Sequence, residues 1–241
     1  MPRFFTGQVN RERAMIAGED ARHIALALRM KAGERLTVCD ADGQDYQCVI
    51  ERISPEQVEL RVEEVAPSAG EPGVWITLYQ ALPKGDKMET IVQKAVELGV
   101  GRIVPVLTHR CVSRPDDKSM RKKCERYNRI ALEAAKQCGR GRVPEVAPLV
   151  GFREAVAQMR ADPLALLFYE NADQPLREVL TGRLGDRVSI LIGSEGGFEP
   201  SEAAFAAENG LVPLSLGSRI LRCETAPLAA ITAILYQAGD I

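Results

Sequence analysis

Val188-Ser189-Ile190-Leu191-Ile192-Gly193-Ser194-Glu195-Gly196-Gly197-Phe198 is a short apolar, β-branched run that ends in a glycine-rich loop. Leu211-Val212-Pro213-Leu214-Ser215-Leu216-Gly217-Ser218-Arg219-Ile220-Leu221-Arg222-Cys223-Glu224-Thr225-Ala226 repeats the arrangement further along the chain. Each apolar run reads as a buried strand, and each loop leads into a helical pattern. Glycines at strand ends let backbone approach a ligand closely and leave N–H and C=O groups unpaired. Two such loops from neighbouring strands, with Glu195 in one and Arg219 and Arg222 in the other, suggest a single ligand pocket.

Working outward, residues 74–79, 102–107 and 164–169 read as further strands. Helical patterns fall at 87–98 (closed by Gly99), 118–138 (closed by Gly139), 175–180, from Pro200 onward, and at 224–238, where Glu224 or Thr225 is placed to cap. Alternating strands and helices give an α/β domain with a largely parallel sheet. The first part of the chain differs. A helical pattern at 21–30 precedes strand-like runs at 35–40, 46–53 and 57–65, with turns at Asp42-Gly43 and Ser54-Pro55. This spacing predicts a small β-barrel with one helix. Pro67-Ser68-Ala69-Gly70-Glu71-Pro72-Gly73 reads as a linker, so the expected domains are 1–71 and 72–241.

The 241 residues are 46% hydrophobic and 27% charged, which fits a globular chain with a real core. No apolar run reaches the roughly 18 residues that span a bilayer, and Met1-Pro2-Arg3-Phe4-Phe5 has no signal-peptide core, so a cytoplasmic protein is expected. Six cysteines and two histidines contain no C-x-x-C pair. No metal site is expected, and reduced thiols account for the cysteines. The net charge is only −2, yet from Arg110 to Arg142 eleven basic residues meet four acids. Such a stretch is either a solvated helix face or a footprint for phosphate.

The Gly193–Gly197 loop is neither a P-loop nor a G-x-G-x-x-G fingerprint, and it lies late in the chain, so a phosphate cradle is disfavoured. Alone it would pass for a tight βα turn. A capping role for residues 219–225 would not call for two arginines, which at strand-end pockets usually meet carboxylate or phosphate. Glu133-Ala134-Ala135-Lys136-Gln137-Cys138-Gly139-Arg140-Gly141-Arg142-Val143-Pro144 places two more arginines on a glycine-rich loop, suited to a nucleic-acid backbone or simply to the negative end of a helix.

With these segments in view, the chain resembles the SPOUT (α/β-knot) RNA methyltransferases, and among them the bacterial 16S ribosomal RNA uridine-N3 methyltransferases. The resemblance covers nearly the whole chain. It is carried by Pro2-Arg3-Phe4-Phe5, His23-Ile24-Ala25-Leu26-Ala27-Leu28-Arg29-Met30-Lys31-Ala32-Gly33-Glu34, Leu82-Pro83-Lys84-Gly85-Asp86-Lys87-Met88-Glu89, Gln93-Lys94-Ala95-Val96-Glu97-Leu98-Gly99-Val100, the 133–144 segment and the two opening loops. Two departures stand out: Ser194 replaces the proline of the family's Gly-Pro-Glu-Gly-Gly, and Thr108-His109-Arg110-Cys111 replaces its acid-arginine-serine pattern.

The resemblance implies an N-terminal PUA-like barrel that helps bind RNA and a C-terminal domain with a deep trefoil knot, a rare exception to unthreaded chains. It implies S-adenosylmethionine held by Phe168, Tyr169, Gly193, Glu195, Gly196, Leu216, Gly217, Ile220, Leu221 and Ala226 at a homodimer interface. The implied substrate is 16S ribosomal RNA, within the small subunit, at uridine 1498. Transfer to uridine N3 requires loss of its proton, so Arg222 is the candidate to stabilise the uracil anion and Glu195 to take the proton or orient the pocket. Arg3, Arg11, Arg29, Lys31, Arg110, Arg121, Lys122, Arg140 and Arg142 are the candidate RNA contacts. Two alternatives stay open: an enzyme of the same fold with another target, such as a ribose 2′-oxygen, and a non-catalytic RNA-binding protein, which cofactor binding would distinguish.

Overall fold

The structure is a computed structural model that describes residues 1–241. Close contacts divide it into two units, Met1–Glu71 with Ala135–Val143, and Pro72–Ala134 with Pro144–Ile241. The division differs from a single cut near residue 72 in one segment, 135–143, which carries Arg140 and Arg142.

The first unit contains β1 (Arg3–Phe5), β2 (Arg13–Ala17), α1 (Glu19–Arg22), β3 (Arg35–Cys39), β4 (Gln44–Ile53) and β5 (Gln57–Pro67). Its sheet runs β1-β3-β4-β5-β2, with β1 parallel to β3 and the other pairs antiparallel. Register shifts at Gln47/Cys48 and Ile50/Arg52 bend the two long strands, as bulges do, giving the curled sheet of a PUA-like domain. Alternating inward residues Leu36, Val38, Ile50, Val58 and Leu60 are fully buried with Phe4, Ile16 and Ile24. The helix expected at 21–30 is shorter: α1 passes into a π turn, His23–Ala27, and Leu26 and Leu28 are exposed.

The second unit contains β6 (Trp75–Ala81), α2 (Lys87–Leu98), β7 (Arg102–Leu107), α3 (Asp117–Cys138, ending in the first unit), β8 (Glu145–Val146), β9 (Val150–Gly151), α4 (Phe152–Met159), β10 (Leu164–Phe168), α5 (Leu176–Leu180), β11 (Arg187–Ile192), α6 (Pro200–Glu208), β12 (Val212–Leu214) and α7 (Ala226–Ala238). The sheet is seven-stranded and wholly parallel, ordered β12-β10-β11-β6-β7-β8, with β9 also on β7. Residues alternate between its faces. Tyr79, Val104, Val106, Leu167 and Leu191 join one core with α4, α6 and Phe198. α7 lies on α2 and against β6 and β11, so the chain returns from the edge strand β12 across β10 toward the middle of the sheet. That return is the path a knotted threading needs.

α2 shows how the sequence sets an element. Met88, Ile91, Val92, Ala95 and Val96 recur at helical spacing and are all buried. Gly99, at φ +107°, ends it in a conformation that L side chains rarely adopt. All six cysteines are free thiols. No helix is long and apolar enough to cross a membrane.

Candidate active site

The carboxyl ends of β10, β11 and β12 are level, Phe168 pairing in register with Ile192 on one side and Leu214 on the other. Ligands of parallel α/β sheets sit beyond such ends. Here the three loops that follow enclose a cavity of about 780 Å³, within the roughly 300–1,000 Å³ of small-molecule sites. Phe168, Tyr169, Gly193, Glu195, Gly196, Leu216, Gly217, Ile220, Leu221, Arg222 and Ala226, the cofactor and catalytic candidates of the sequence, all line it. Lys87, Glu170, Asp173, Ser194, Ser218, Arg219 and Cys223 join them.

Glycine is required in the second of these loops. A Cβ at Gly193 would stand 3.0 Å from the Gly197 Cα, and one at Gly196 would stand 3.0 Å from the Arg110 Cβ. Gly197 turns at φ +63°, with the Glu170 carboxylate 2.8 Å from where its Cβ would be. The loop is anchored at both ends. Phe198 is buried against Phe152, ring centroids 6.1 Å apart, and the Gln80 side-chain amide donates to the Gly193 carbonyl at 3.2 Å.

Arg110 fixes the middle of that loop. It donates to the Gly196 carbonyl at 2.9 Å and forms a two-point pair with Glu199 at 2.9 and 3.3 Å. Glu199 also caps α6 in a reciprocal box with Glu202. The Arg110 ion pair comes first in holding the Glu199 carboxyl below the usual range. Arg110 is thus engaged in building the cavity wall.

Glu195 is engaged too. Its carboxylate meets the Lys87 ammonium at 3.0 Å and accepts the Lys84 backbone N–H at 3.2 and 3.4 Å. Burial pushes its carboxyl up, but its own N–H, Lys87 and the Lys84 N–H outweigh burial and hold it low. A carboxylate held ionised is a weak base. Lys87 also reaches Glu224 at 3.4 Å. Glu224 therefore faces Lys87 and does not cap α7; Thr225 stands at the N-cap, also without a side-chain bond. The buried Cys223 thiol is pushed up to about 12 by burial first, then by Glu224 and Glu195. By contrast, the exposed Arg222 side chain makes no hydrogen bond or ion pair.

The RNA candidates divide. Arg11, Arg29, Lys31 and Arg142 in the first unit, and Arg121 and Lys122 on α3 in the second, are exposed. Two others are paired with carboxylates. Arg140 is 3% exposed and pairs with Glu71 at 2.7 Å. Arg3 is bidentate on Asp45 at 2.7 Å and 2.7 Å. A guanidinium already on a carboxylate has less to offer a phosphate, and both pairs lie within the first unit. His109 and Cys111 do not converge: His109 is exposed near Glu199, and the Cys111 thiol packs against the Thr108 hydroxyl. Lys87 lies inside the 82–89 signature, whereas nothing in the sequence marks Gln80, one amide in an apolar run.

This fold and cavity define a class. Residues 70–235 match the RNA methyltransferase domain family, and 16–63 match the RNA methyltransferase PUA domain family. Ribosomal RNA small subunit methyltransferase E of Bacillus subtilis is 35% identical over 228 residues, 92% of this chain and 89% of that protein. The chain belongs to the ribosomal RNA small subunit methyltransferase E family. Among solved structures, the Neisseria gonorrhoeae ribosomal RNA small subunit methyltransferase E bound to S-adenosyl methionine superposes with a TM-score of 0.88 at 31% identity, covering 98% of this chain and 97% of that one. A Legionella pneumophila protein in complex with the cofactor SAM gives 0.86 at 32% identity, covering 97% and 96%.

Proposed function

We propose that the protein is an S-adenosylmethionine-dependent methyltransferase that modifies N3 of one uridine in 16S ribosomal RNA, uridine 1498 by family resemblance. The observation that carries the reading is the strand-end cavity, walled by a loop in which Gly193, Gly196 and Gly197 are closely crowded and rimmed by two unpaired arginines, Arg219 and Arg222. The residues suit this cofactor. The glycine loops bring backbone to the cavity wall, and Leu216, Ile220, Leu221 and Ala226 offer apolar surface to an adenine.

The bound cofactor would supply a methyl group already activated on a sulfonium. What remains for the chain is to hold the uracil in line, exclude water and favour the N3 anion. Arg222 carries the last task, with its guanidinium available to a uracil carbonyl oxygen as charge develops there. Glu195, already committed to Lys87 and Lys84, orients the pocket. The exposed cations Arg11, Arg29, Lys31, Arg121, Lys122 and Arg142 position the RNA by phosphate contact. An assembled small subunit is the proposed substrate and a homodimer the active form. Ile220, 89% exposed at the cavity in a single chain, is the kind of apolar side chain a second copy would cover.

The test supplies methyl-labelled cofactor to wild-type and Arg222→Ala protein, with small subunits from cells lacking the gene. Mass-mapping should place the label on N3-methyluridine, with loss in the variant. Label on a ribose 2′-oxygen, or an unimpaired variant, would overturn this assignment.

A further inference from the structure

We propose that Lys87 is a positioning residue that ties two of the three loops around the cavity, those after β11 and β12, to one ammonium on α2 and so fixes the spacing of its walls. The proposal rests on the methyltransferase reading above. Its Nζ lies 3.0 Å from Glu195 Oε1, 3.4 Å from Glu224 Oε2 and 3.9 Å from Cys223 Sγ. Glu195 belongs to the loop after β11, Glu224 to the segment between β12 and α7, and Lys87 itself to the segment after β6. Lys84, from the same segment, adds its backbone N–H to Glu195.

None of these loops can fix its distance from the others through its own backbone, because each is irregular. The ammonium, by contrast, is mounted on a rigid element. Lys87 opens α2, whose Met88, Ile91, Val92 and Ala95 are fully buried. Without that charge, Glu195 and Glu224 would face one another as like charges at the cavity wall. Lys87, Glu195 and Glu224 each keep about a third of their side-chain exposure, and pairs so open to water do little for global stability. Their consequence is therefore preorganisation of the cavity, which acts on ligand affinity.

The experiment titrates the full-length protein with S-adenosylmethionine and, separately, with its demethylated product S-adenosylhomocysteine. Lys87→Gln should weaken both by about tenfold, since both need the same walls. Lys87→Arg should stay within about threefold of wild type, because it restores the charge at a similar reach. In turnover, KM for the cofactor should rise in Lys87→Gln while kcat at saturating cofactor is retained, and the thermal midpoint should stay within about 2 °C. Unchanged affinity in Lys87→Gln would overturn the proposal. So would a loss confined to the charged cofactor, which would mean that the cluster senses the sulfonium. An arginine variant as impaired as glutamine, or a fall in thermal midpoint that tracks the loss, would overturn it as well. A wild-type protein that bound neither molecule would sink the methyltransferase reading itself, a result seen before any variant is compared.

Discussion

Replacing Arg3 with methionine separates a structural cation from an RNA-binding one. In the native first unit the Arg3 guanidinium holds both oxygens of Asp45 at 2.7 Å and lies 2.9 Å from the Cys39 sulfur. The two side chains are 17% and 11% exposed. Arg3→Met leaves the Asp45 carboxylate with only the Ser68 hydroxyl and the Cys39 thiol. Breaking a buried pair from one side costs about 3–5 kcal/mol, and this pair keeps some water, so about 2–4 kcal/mol is expected. At about 4–8 °C per kcal/mol for a domain of this size, the thermal midpoint of the unit should fall by roughly 8–32 °C. Adding Asp45→Leu should recover much of the loss, because both charges then leave together. The pH dependence has a definite sign. Burial pushes the Asp45 carboxyl up, but Arg3 and Ser68 outweigh it and hold the carboxyl below its ordinary value. The stabilisation is thus present above about pH 4 and is lost as pH falls through the lower native value, so the gap between wild type and Arg3→Met should close in acid. RNA binding measured from 50 to 200 mM salt supplies the second readout. If Arg3 neutralised a phosphate of single-stranded RNA, its removal would change the log–log slope by about 0.7, and no such change is expected. An unaltered thermal midpoint together with a slope reduced by that amount would refute the reasoning.

Three further outcomes are expected. Arg222→Ala should lower methyl transfer at saturating cofactor by about 100-fold or more while cofactor affinity holds; a retained rate in a single-turnover assay would remove Arg222 from the chemistry. Gly197→Ala should cost about 1–2 kcal/mol in urea unfolding from the left-handed backbone alone, and it should also weaken cofactor binding because the loop walls the cavity; an unshifted urea midpoint would contradict the geometry. Arg121→Gln with Lys122→Gln should reduce the salt slope of RNA binding by about 1.4 with cofactor affinity intact, and an unchanged slope would take α3 off the RNA path.

The second unit was legible in the sequence because its elements are long and periodic. α2 and β7 fall where the apolar spacing placed them, and the strand-end loops lie together because parallel strands bring their carboxyl ends to one side. What escaped was short or contradicted its own pattern. β1 and β2 are three and five residues long, too short to show alternation. α4 carries Phe152, Ala155, Val156 and Met159 at good helical spacing but lacks a capping side chain, since Gly151 stands at its N-cap. The π turn breaks the 21–30 pattern because a helical apolar stripe needs a partner surface, and Leu26 and Leu28 find none within the unit. Within the cavity the lining was readable from glycines and apolar residues, whereas the pairing of its charges was not.

That pairing decides the division of labour. Sequence reading offers Arg110, Arg140 and Arg3 as RNA contacts, leaves Lys87 in a family signature without a role, and gives Arg222 to the chemistry. Packing gives the first four specific carboxylates: Glu199, Glu71, Asp45, and the Glu195–Glu224 pair. Each of those acids lies far from its cation in sequence, so no local pattern could announce the pairing. Once they are assigned, Glu195, Glu199 and Glu224 are occupied. Glu195, held ionised by Lys87, is a poorer base than a free carboxylate, in keeping with the orienting role proposed for it. Arg222, like Arg219 of the same loop, is exposed at the cavity rim and holds no carboxylate. A guanidinium left unpaired at the cavity rim is suited to a charge that arrives with the substrate.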